Sequence, residues 1–486
     1  MKLAFLLLAL PGCAQLFGLD DTTATVADAP GPGVHFAIQL EQIGATIVDT
    51  PDDPAVTHDT VAFLVPNGTT YQTVPATLSA PGAWTGDIPT GNPLVDFTIN
   101  GARHIWIVPT RDLKMTNAVL GHPNPVAPPD GSVFNLSIAV PGGLAGTELL
   151  SFLTVGAWSQ QDAPAAVMGA LSIDGQLMYT PATAVGGPLA KITPTDAVLV
   201  MRRRITMVDG TSPLDGVFQT SIDQTGTDAL AGSLADTAVD KTLSAQITPN
   251  ALATRYTAVR PAVSSLGLGW ACYAAPGYQR GILNGPLLNT NGIAATATTL
   301  TGVYGNPFAS LGWKELLFYN SLESRTVMLP SGQTFGLDAG LQTIVQPSAG
   351  QTFDMPAGLP QTISLNSIPL TSDNMAVYVD PSKYVQISML NDRTTNTFVQ
   401  AALFEVLTPD AMTLTTKLVI DALAVDPTAL VFPPDVFVAG HTYFIEAIAH
   451  QGGWPNAATG DFQTQAPPFY VGYNYSGVFT VSPTPI

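Results

Sequence analysis

The amino-acid sequence predicts an all-β protein that consists of two to three tandem antiparallel β-sandwich domains. Charged residues make up only 11% of the 486 residues, against about 25% in an average soluble domain. Lys and Glu, which favour exposed helix faces, are scarce, whereas Asp, which favours turns, is frequent. The 44 Gly and 41 Pro residues supply many further turns. This composition is typical of short strands joined by turns.

The first domain is expected at 34–146, where apolar stretches alternate with turn signals such as Pro66-Asn67-Gly68 and Asn100-Gly101. The chain is long enough for about three domains of the usual size. The expected strands of the first domain are Val34–Leu40, Thr60–Val65, Leu94–Ile99, His104–Val108 and Val133–Val140. Their spacing predicts an antiparallel sandwich.

A second β-rich domain is expected at 147–299, and the strand pattern weakens after Pro261. A third β-rich region covers 300–486, and its border with the second is open between residues 260 and 355. The expected strands of the second domain are Leu149–Val155, Val167–Ile173, Ala197–Met207, Val217–Ile222, Thr242–Ile247 and Thr254–Val259.

The last part of the chain, at 355–486, resembles a fibronectin type III domain in its strand pattern. The resemblance implies an Ig-like sandwich in which Tyr443 hydrogen-bonds back to the preceding turn, the tyrosine corner. The sequence departs from the family at Met389, where many members carry a tryptophan. The resemblance implies a fold and no function. The stretches that carry it are Tyr384–Met389, Phe398–Val406, Phe437–Ala447 and Gly477–Val481.

Residues 1–13 have the features of an export signal. Lys2 is followed by an apolar run that is too short to span a bilayer, which needs about 20 residues. The run ends in Leu10-Pro11-Gly12-Cys13, which resembles the bacterial lipobox, although Pro11 is unusual there. The resemblance implies a bacterial lipoprotein whose signal peptide is removed and whose Cys13 is lipidated. The alternatives are ordinary cleavage after Ala14 and a cysteine that stands there by chance.

Residues 14–33 are poor in large apolar side chains and contain several Asp and Pro, which predicts a flexible tether. Several acyl chains bind a membrane stably where a single chain does not. We therefore expect a membrane as a partner, contacted through the N-terminal lipid. By the lipoprotein sorting rule, Ala14 in place of an Asp implies an exported protein at the outer membrane or cell surface.

The formal charge of −19 argues against nucleic acid as a partner, because phosphate binding requires clustered Lys and Arg. The basic run Arg202-Arg203-Arg204 lies inside the expected strand Ala197–Met207. These arginines are expected to cover a sheet edge or to pair with nearby Asp. A β-bulge there would move Arg203 off the face that it would otherwise share with Met201.

The sequence contains none of the local motifs that carry common catalytic chemistry. No H-E-x-x-H, G-x-S-x-G or P-loop pattern occurs, so we expect no metal, no cofactor and no enzyme activity. The six histidines are scattered and are expected to be structural. Cys272 lies among aromatic and apolar residues, which favours a buried core position over a nucleophilic thiol.

Two acidic features leave alternatives open. The six Glu residues share no motif, but distant strands can still bring two carboxylates together. A hydrolase of envelope polysaccharide or peptidoglycan is therefore the alternative function. The cluster Asp49-Thr50-Pro51-Asp52-Asp53 offers oxygen ligands for calcium but lacks a calcium loop, and a solvated turn is favoured.

An aromatic segment lies between the strand expected to end near His450 and the strand expected to start near Gly477. It is predicted to be a loop of about 25 residues. Long loops at the end of a sandwich often carry binding residues, so these rings would form a platform for a glycan or a protein. The favoured alternative is that they extend the core. The candidate binding residues are Trp454, Phe469, Tyr470 and Tyr473.

These features leave the oligomeric state open but predict one class of function. We expect a non-enzymatic lipoprotein of the cell envelope with an interaction, adhesion or structural role. Its ligand would be a glycan or a protein.

Overall fold

The structure is a computed structural model in which strands dominate, so the predicted all-β class is confirmed. The signal segment, Cys13 and residues 14–32 of the tether lie outside the described residues, and the lipid anchor stays a prediction. No helix in the described part is long and apolar enough to cross a membrane. The described residues are 33–54, 59–67, 70–88, 92–99, 101–107, 109–121, 133–144, 148–154, 159–162, 169–178, 191–193, 196–204, 211–221, 229–259, 266–278, 285–290, 298–348, 350–353, 355–408, 413–425 and 430–485.

Short strands follow one another along the whole described chain. In the N-terminal part they are β1 (Val34–Ile43), β2 (Ile47–Pro51), β3 (Val61–Asn67), β4 (Thr70–Pro75), β5 (Thr77–Ala80), β6 (Ala83–Gly86), β7 (Leu94–Ile99), β8 (Ala102–Ile107), β9 (Asp112–Leu120) and β10 (Val133–Ala139). In the middle part they are β11 (Glu148–Thr154), β12 (Ser159–Asp162), β13 (Ser172–Met178), β14 (Ala197–Arg204), β15 (Thr211–Ser221), β16 (Ala229–Ser233), β17 (Ala235–Asp236), β18 (Lys241–Gln246), β19 (Gly267–Ala275), β20 (Gly285–Thr290) and β21 (Thr299–Tyr304). In the C-terminal part they are β22 (Lys314–Met328), β23 (Thr334–Val345), β24 (Gln351–Thr352), β25 (Pro360–Leu365), β26 (Ile368–Pro369), β27 (Met375–Tyr378), β28 (Val385–Asn391), β29 (Phe398–Leu407), β30 (Thr415–Ala424), β31 (Leu430–Phe432), β32 (Thr442–Gly453), β33 (Ala466–Tyr475) and β34 (Phe479–Ser482). The helical elements whose bounds lie within the described residues are α1 (Pro249–Val259) and the 3-10 helices Pro307–Leu311, Pro434–Val436 and Ala457–Thr459.

One continuous path of backbone hydrogen bonds joins strands from all three parts of the chain. It runs β12-β11-β14-β15-β20-β19-β22-β23-β33-β32-β29-β30-β8-β7-β3-β4. Within it β8 and β30 pair in parallel, with His104 opposite Asp421. The segments predicted as the first domain and the third region are thus joined by backbone hydrogen bonds.

A smaller sheet packs against the N-terminal end of this path. Its central strand β1 pairs in parallel with β9 along one edge and in antiparallel with β6 and β2 along the other. Alternate residues over most of β1 are buried, which is the period-two pattern that predicts a strand. Phe36 of β1 packs in one core with Phe97, Trp106 and Phe398, so this core also includes side chains from the C-terminal part.

The C-terminal part is a two-sheet sandwich. One sheet has the strand order β26-β25-β28-β31, and the other has the order β27-β34-β32-β29-β30. Ile387, Leu403 and Ile445 lie in the core that the two sheets share. The chain changes sheet between β28 and β29, between β30 and β31 and between β31 and β32, as in a Greek key. The phenol oxygen of Tyr443 accepts a hydrogen bond from the backbone N–H of Val438 at 3.0 Å, so the tyrosine corner is present.

The strand predicted at Thr254–Val259 is wrong, because these residues belong to α1. The buried residues of α1 are Pro249, Leu252 and Tyr256, and their spacing of three and four follows the helical period. A proline suits the first turn of a helix, where its missing N–H would have no partner in any case. The Thr and Val residues of the segment favour strands locally, which concealed this pattern.

The arginine run closes β14, which is hydrogen-bonded to β11 on one side and to β15 on the other. The prediction that these arginines cover a sheet edge is therefore wrong. The predicted pairing with Asp is confirmed for Arg202, whose Nη2 lies 2.6 Å from Oδ1 of Asp236. The strand register shifts between Arg202 and Arg203, so the β-bulge is also confirmed.

Candidate functional site

The aromatic segment that was predicted to be a long loop is mostly a β-hairpin. β32 extends to Gly453 and β33 begins at Ala466, so the connecting loop is residues 454–465. The prediction of a loop from His450 to Gly477 is therefore wrong. Pro467-Pro468 and Gly472 gave this stretch the composition of a loop. Proline can nevertheless stand at the start of a strand, and glycine can occur within a strand where another part of the backbone approaches closely.

The hairpin gives two of the candidate binding residues packing roles in the core. Phe469 is 1% exposed and has no face to offer a ligand. The half-buried ring of Trp454 packs edge-on against Phe469, Phe398 and His450, at centroid distances of 5.3, 5.0 and 5.4 Å. The alternative that the rings extend the core therefore holds for Phe469.

The other two candidate residues, Tyr470 and Tyr473, are half-buried on opposite faces of β33. Tyr473 stands opposite Gly340 of β23. Its ring fills the space beside that glycine, since a Cβ at Gly340 would lie 2.3 Å from Cζ of Tyr473. An aromatic ring over a cross-strand glycine stabilises a sheet. Tyr470 packs against the same core as Phe469 and keeps part of its ring exposed.

Beside Trp454 lies a hydrogen-bonded chain of four polar side chains, which we call the histidine relay: His104, Asp421, Gln400 and His450. Nδ1 of His104 lies 3.3 Å from Oδ2 of Asp421. Nε2 of Gln400 donates to Oδ1 of Asp421 at 2.9 Å, and Oε1 of Gln400 lies 3.1 Å from Nε2 of His450. The relay crosses β8, β30, β29 and β32 in the order in which these strands pair.

Aromatic and apolar groups enclose the histidine relay. His450 is 1% exposed, and its ring stacks on Phe398 at 4.2 Å. The ring of His104 stacks on Phe97 at 5.2 Å. Asp421 is also buried, and a buried carboxylate needs donors because an unpaired charge is strongly unfavourable in an apolar environment. His104 and Gln400 are placed to supply them.

The side chains of the histidine relay can hold four neighbouring strands in register through their hydrogen bonds. Two imidazoles, a carboxamide and a carboxylate supply both donors and acceptors of hydrogen bonds. The same hydrogen bonds also specify the register of four strands, since a slip of one residue would move each side chain to the opposite face. The hydrogen bond between His104 and Asp421 joins residues 317 positions apart.

The histidine relay was not predicted from the sequence. The available signal was Asp421 itself, a charged residue inside the apolar run Leu418–Ala424. A carboxylate in a buried strand requires a partner. Neither His104 nor His450 lies near Asp421 in the sequence, so no spacing rule identifies that partner.

Three of the six glutamates are held in separate clusters of contacts. Oε1 of Glu405 contacts Nδ1 of His441. Glu446 accepts a hydrogen bond from the hydroxyl of Tyr475 at 2.9 Å. Burial raises the pKa of Tyr475, and the neighbouring Glu446 carboxylate raises it further. Glu315 belongs to a third cluster.

The structure also shows where the possible metal ligands and the possible thiol nucleophile of the sequence lie. Among the described residues, no group of three or more His, Cys, Asp or Glu side chains is arranged to hold a metal. Asp49 is exposed on β2, whereas Asp52 is 0% exposed, so the cluster at 49–53 is not the solvated turn that was favoured. Cys272 is a core residue, as predicted, and burial raises the pKa of its thiol.

Comparisons with known proteins do not assign this chain to a family. No family model matches it, and no curated protein sequence is significantly similar to it. The structure of Escherichia coli alpha-2-macroglobulin activated by porcine elastase aligns with 93% of this chain and 43% of its own, at 12% identity and a TM-score of 0.15. Salmonella alpha-2-macroglobulin reacted with methylamine aligns with 87% and 28%, at 10% identity and a TM-score of 0.11. This chain spans less than half the length of these structures, and TM-scores this low support no conclusion about fold or function.

Proposed function

We propose that this chain is a non-enzymatic lipoprotein of the bacterial cell envelope, with a structural or interaction role. The observation that supports this most directly is the strand path that runs from the middle part of the chain through the C-terminal sandwich into the N-terminal strands. Continuous pairing of distant segments favours a fixed scaffold. The resemblance of the C-terminal sandwich to fibronectin type III domains supports the same proposal.

Ion pairs between distant segments support a scaffold as well. Arg103 of β8 contacts Asp96 of β7 and Asp435 beyond β31. Arg325 of β22 contacts Asp373 and donates to the backbone oxygen of Ser476 at 2.6 Å. A polysaccharide hydrolase needs two carboxylates on either side of the substrate bond. Release of reducing sugars from purified peptidoglycan by the intact chain would therefore overturn the non-enzymatic part of the proposal.

The lipid anchor has a direct test in the Cys13→Ser variant. Removal of the sulfur removes the site of every acyl chain, so the variant should fail to incorporate labelled palmitate and should move from the membrane fraction to the soluble fraction. Cys272→Ser is the matched control, because the Cys272 thiol is buried and should not affect fractionation. An N-terminal peptide of the wild-type protein that carries an unmodified Cys13 would refute the anchor.

We further propose that the exposed parts of Trp454, Tyr470 and Tyr473 contribute to binding a glycan or a protein of the cell surface. Tyrosine and tryptophan rings offer large contact areas with a polar edge, which suits both classes of ligand. Trp454 lies in the loop of this hairpin, and both tyrosines lie on β33, where Tyr470 and Tyr473 are on opposite faces of the strand and would each contribute separate contacts.

The Tyr470→Ala variant tests this binding role. Loss of the ring should weaken binding to cell-wall or host-surface extracts about tenfold, which corresponds to about 1.4 kcal/mol. Tyr378→Ala serves as a matched control, since Tyr378 is a half-buried tyrosine on a different strand, β27, that is joined to β33 through β34 and β32. If both variants fold and bind as the wild type does, the hairpin aromatics have a packing role only.

A further inference from the structure

Three side chains that no sequence motif connects meet in the middle part of the fold. Lys241 is the first residue of β18, Asn306 lies just beyond β21, and Glu315 is the second residue of β22. Oε1 of Glu315 contacts Nζ of Lys241 and accepts a hydrogen bond from Nδ2 of Asn306 at 2.9 Å. A primary amine and a carboxamide therefore share one carboxylate oxygen.

The local sequence explains the position of Asn306. Tyr304 stands opposite Lys241 in the pairing of β18 with β21 and is the last residue of β21. A Cβ at Gly305 would lie 2.1 Å from the backbone oxygen of Ala238, so a side chain would not fit there. Asn306 then caps the 3-10 helix Pro307–Leu311, and its Oδ1 accepts a hydrogen bond from the N–H of Phe308 at 3.0 Å. The cap fixes the carboxamide with its nitrogen toward Glu315.

The hydrogen bonds on the Asn306 carboxamide are those that an attack on its carbon would use. The Phe308 N–H would stabilise the negative charge that develops on Oδ1. The hydroxyl of Tyr304 donates to Oε2 of Glu315 at 2.9 Å and orients the carboxylate. Burial raises the pKa of Glu315, but hydrogen bonds from Lys241, Asn306 and Tyr304 together lower it to below its usual value. The carboxylate is therefore ionised, and any proton that it takes from one of the two nitrogen atoms in contact with it is held only transiently.

We propose that Lys241 and Asn306 form an intramolecular isopeptide bond, with Glu315 as the proton carrier. Nζ of Lys241 attacks Cγ of Asn306, so the Nζ–Cγ bond forms and the Cγ–Nδ2 bond breaks. The two protons that the lysine ammonium loses pass in turn through Glu315 to Nδ2, which leaves as ammonium. The reaction needs no oxidant and no other reactant, because the protein itself holds amine, carboxamide and base together.

The bond would tie the start of β18 to the end of β21 and close a covalent loop that contains α1, β19 and β20. The Lys241 side chain is 44% exposed, so the released ammonium has a path to solvent. A closed loop restricts the unfolded chain and thereby favours the folded state. This inference is independent of the lipid anchor and of any ligand.

The sequence blocks the usual competing loss of ammonia at this position. Asparagine commonly loses ammonia when the backbone nitrogen of the next residue attacks its side chain. Pro307 follows Asn306 and has no N–H, so that route is closed. A second Gly-Asn-Pro sequence at Gly91–Pro93 places Asn92 in the same local context and provides an internal control.

Peptide mass mapping of the purified full chain tests the proposal. We expect a branched species that joins the peptides of Lys241 and Asn306 and is lighter than their sum by one ammonia. The peptide of Asn92 should keep its unmodified mass. Lys241→Arg and Glu315→Gln should each abolish the branched species. Lys383→Arg is the matched control, because Lys383 contacts Asp380 elsewhere on the surface, and it should leave the branched species intact.

Recovery of the Lys241 and Asn306 peptides as separate, unmodified species from the wild-type protein would overturn the proposal. Conversion of Asn306 to Asp without a link to Lys241 would overturn it as well. A branched species that persists in Glu315→Gln would remove Glu315 from its role as proton carrier. If Glu315→Gln does not fold, Lys241→Arg retains the positive charge and gives the reference without a crosslink.

Discussion

Replacement of Phe398 by alanine should lower the free energy of unfolding by about 3–5 kcal/mol. Phe398 is 3% exposed, and its ring stacks on His450 at 4.2 Å. It also contacts Trp454 and Phe462 edge-on, at 5.0 and 5.4 Å. Removal of the ring leaves a cavity between paired strands that have little freedom to close it. Urea denaturation followed by circular dichroism measures the loss.

The same variant tests whether the N-terminal and C-terminal strands unfold together. Phe398 shares a core with Trp84 and Trp106, so tryptophan fluorescence and circular dichroism should change at the same urea concentration. Leu390→Ala is the control, because Leu390 is 60% exposed and a surface change of this kind should cost less than about 0.5 kcal/mol. Two separate transitions, or a loss for Phe398→Ala no larger than that of the control, would contradict a shared core.

Replacement of Arg255 by methionine should also cost about 3–5 kcal/mol, because it leaves a buried carboxylate without its main partner. Nε and Nη2 of Arg255 lie 2.5 and 2.9 Å from the two oxygens of Asp392. Arg255 also donates to the backbone oxygens of Met355 and Ala357, at 2.6 Å each. The side chains of Arg255 and Asp392 are only 11% and 13% exposed, so water cannot replace these contacts fully.

A double-mutant cycle separates the ion pair from the other contacts of Arg255. Arg255→Met combined with Asp392→Asn should be less destabilising than the sum of the two single changes, because each single variant retains an unpaired charge whereas the double variant retains none. Arg255→Lys should recover only part of the stability, since an ammonium cannot make the paired contacts of a guanidinium. Additive effects of Arg255→Met and Asp392→Asn in chemical denaturation would contradict the importance of the pair.

Strands were predictable from the sequence where turn residues border them. The strand Leu94–Ile99 was predicted residue for residue, because Pro93 stands before it and Asn100-Gly101 after it. The helix at Pro249–Val259 was not predictable in this way. Its stability includes long-range contacts such as the hydrogen bond of 2.7 Å from the Tyr256 hydroxyl to the backbone oxygen of Ser321. Tertiary contacts of this kind override local propensity.

Long-range contacts also limited how much of the candidate sites could be predicted from the sequence. The tyrosine corner was implied by the resemblance to fibronectin type III domains, and its partners Tyr443 and Val438 are only five residues apart. His104 and Asp421 are 317 residues apart, and Lys241 and Glu315 are 74 residues apart. The sequence shows that Asp421 needs a partner, but only the pairing of the strands determines which residue that partner is.

The parallel pairing of β8 with β30 has a consequence for the nascent chain. The edge of β8 that β30 covers has no partner until residues 317 positions further along have been synthesised. At about 5–20 residues per second, this edge stays open on the ribosome for roughly 15–60 seconds. An open strand edge is a template for aggregation, so β8 carries this hazard throughout that interval. Burial of its core must wait for the last quarter of the polypeptide, which supplies Phe398 and Phe462.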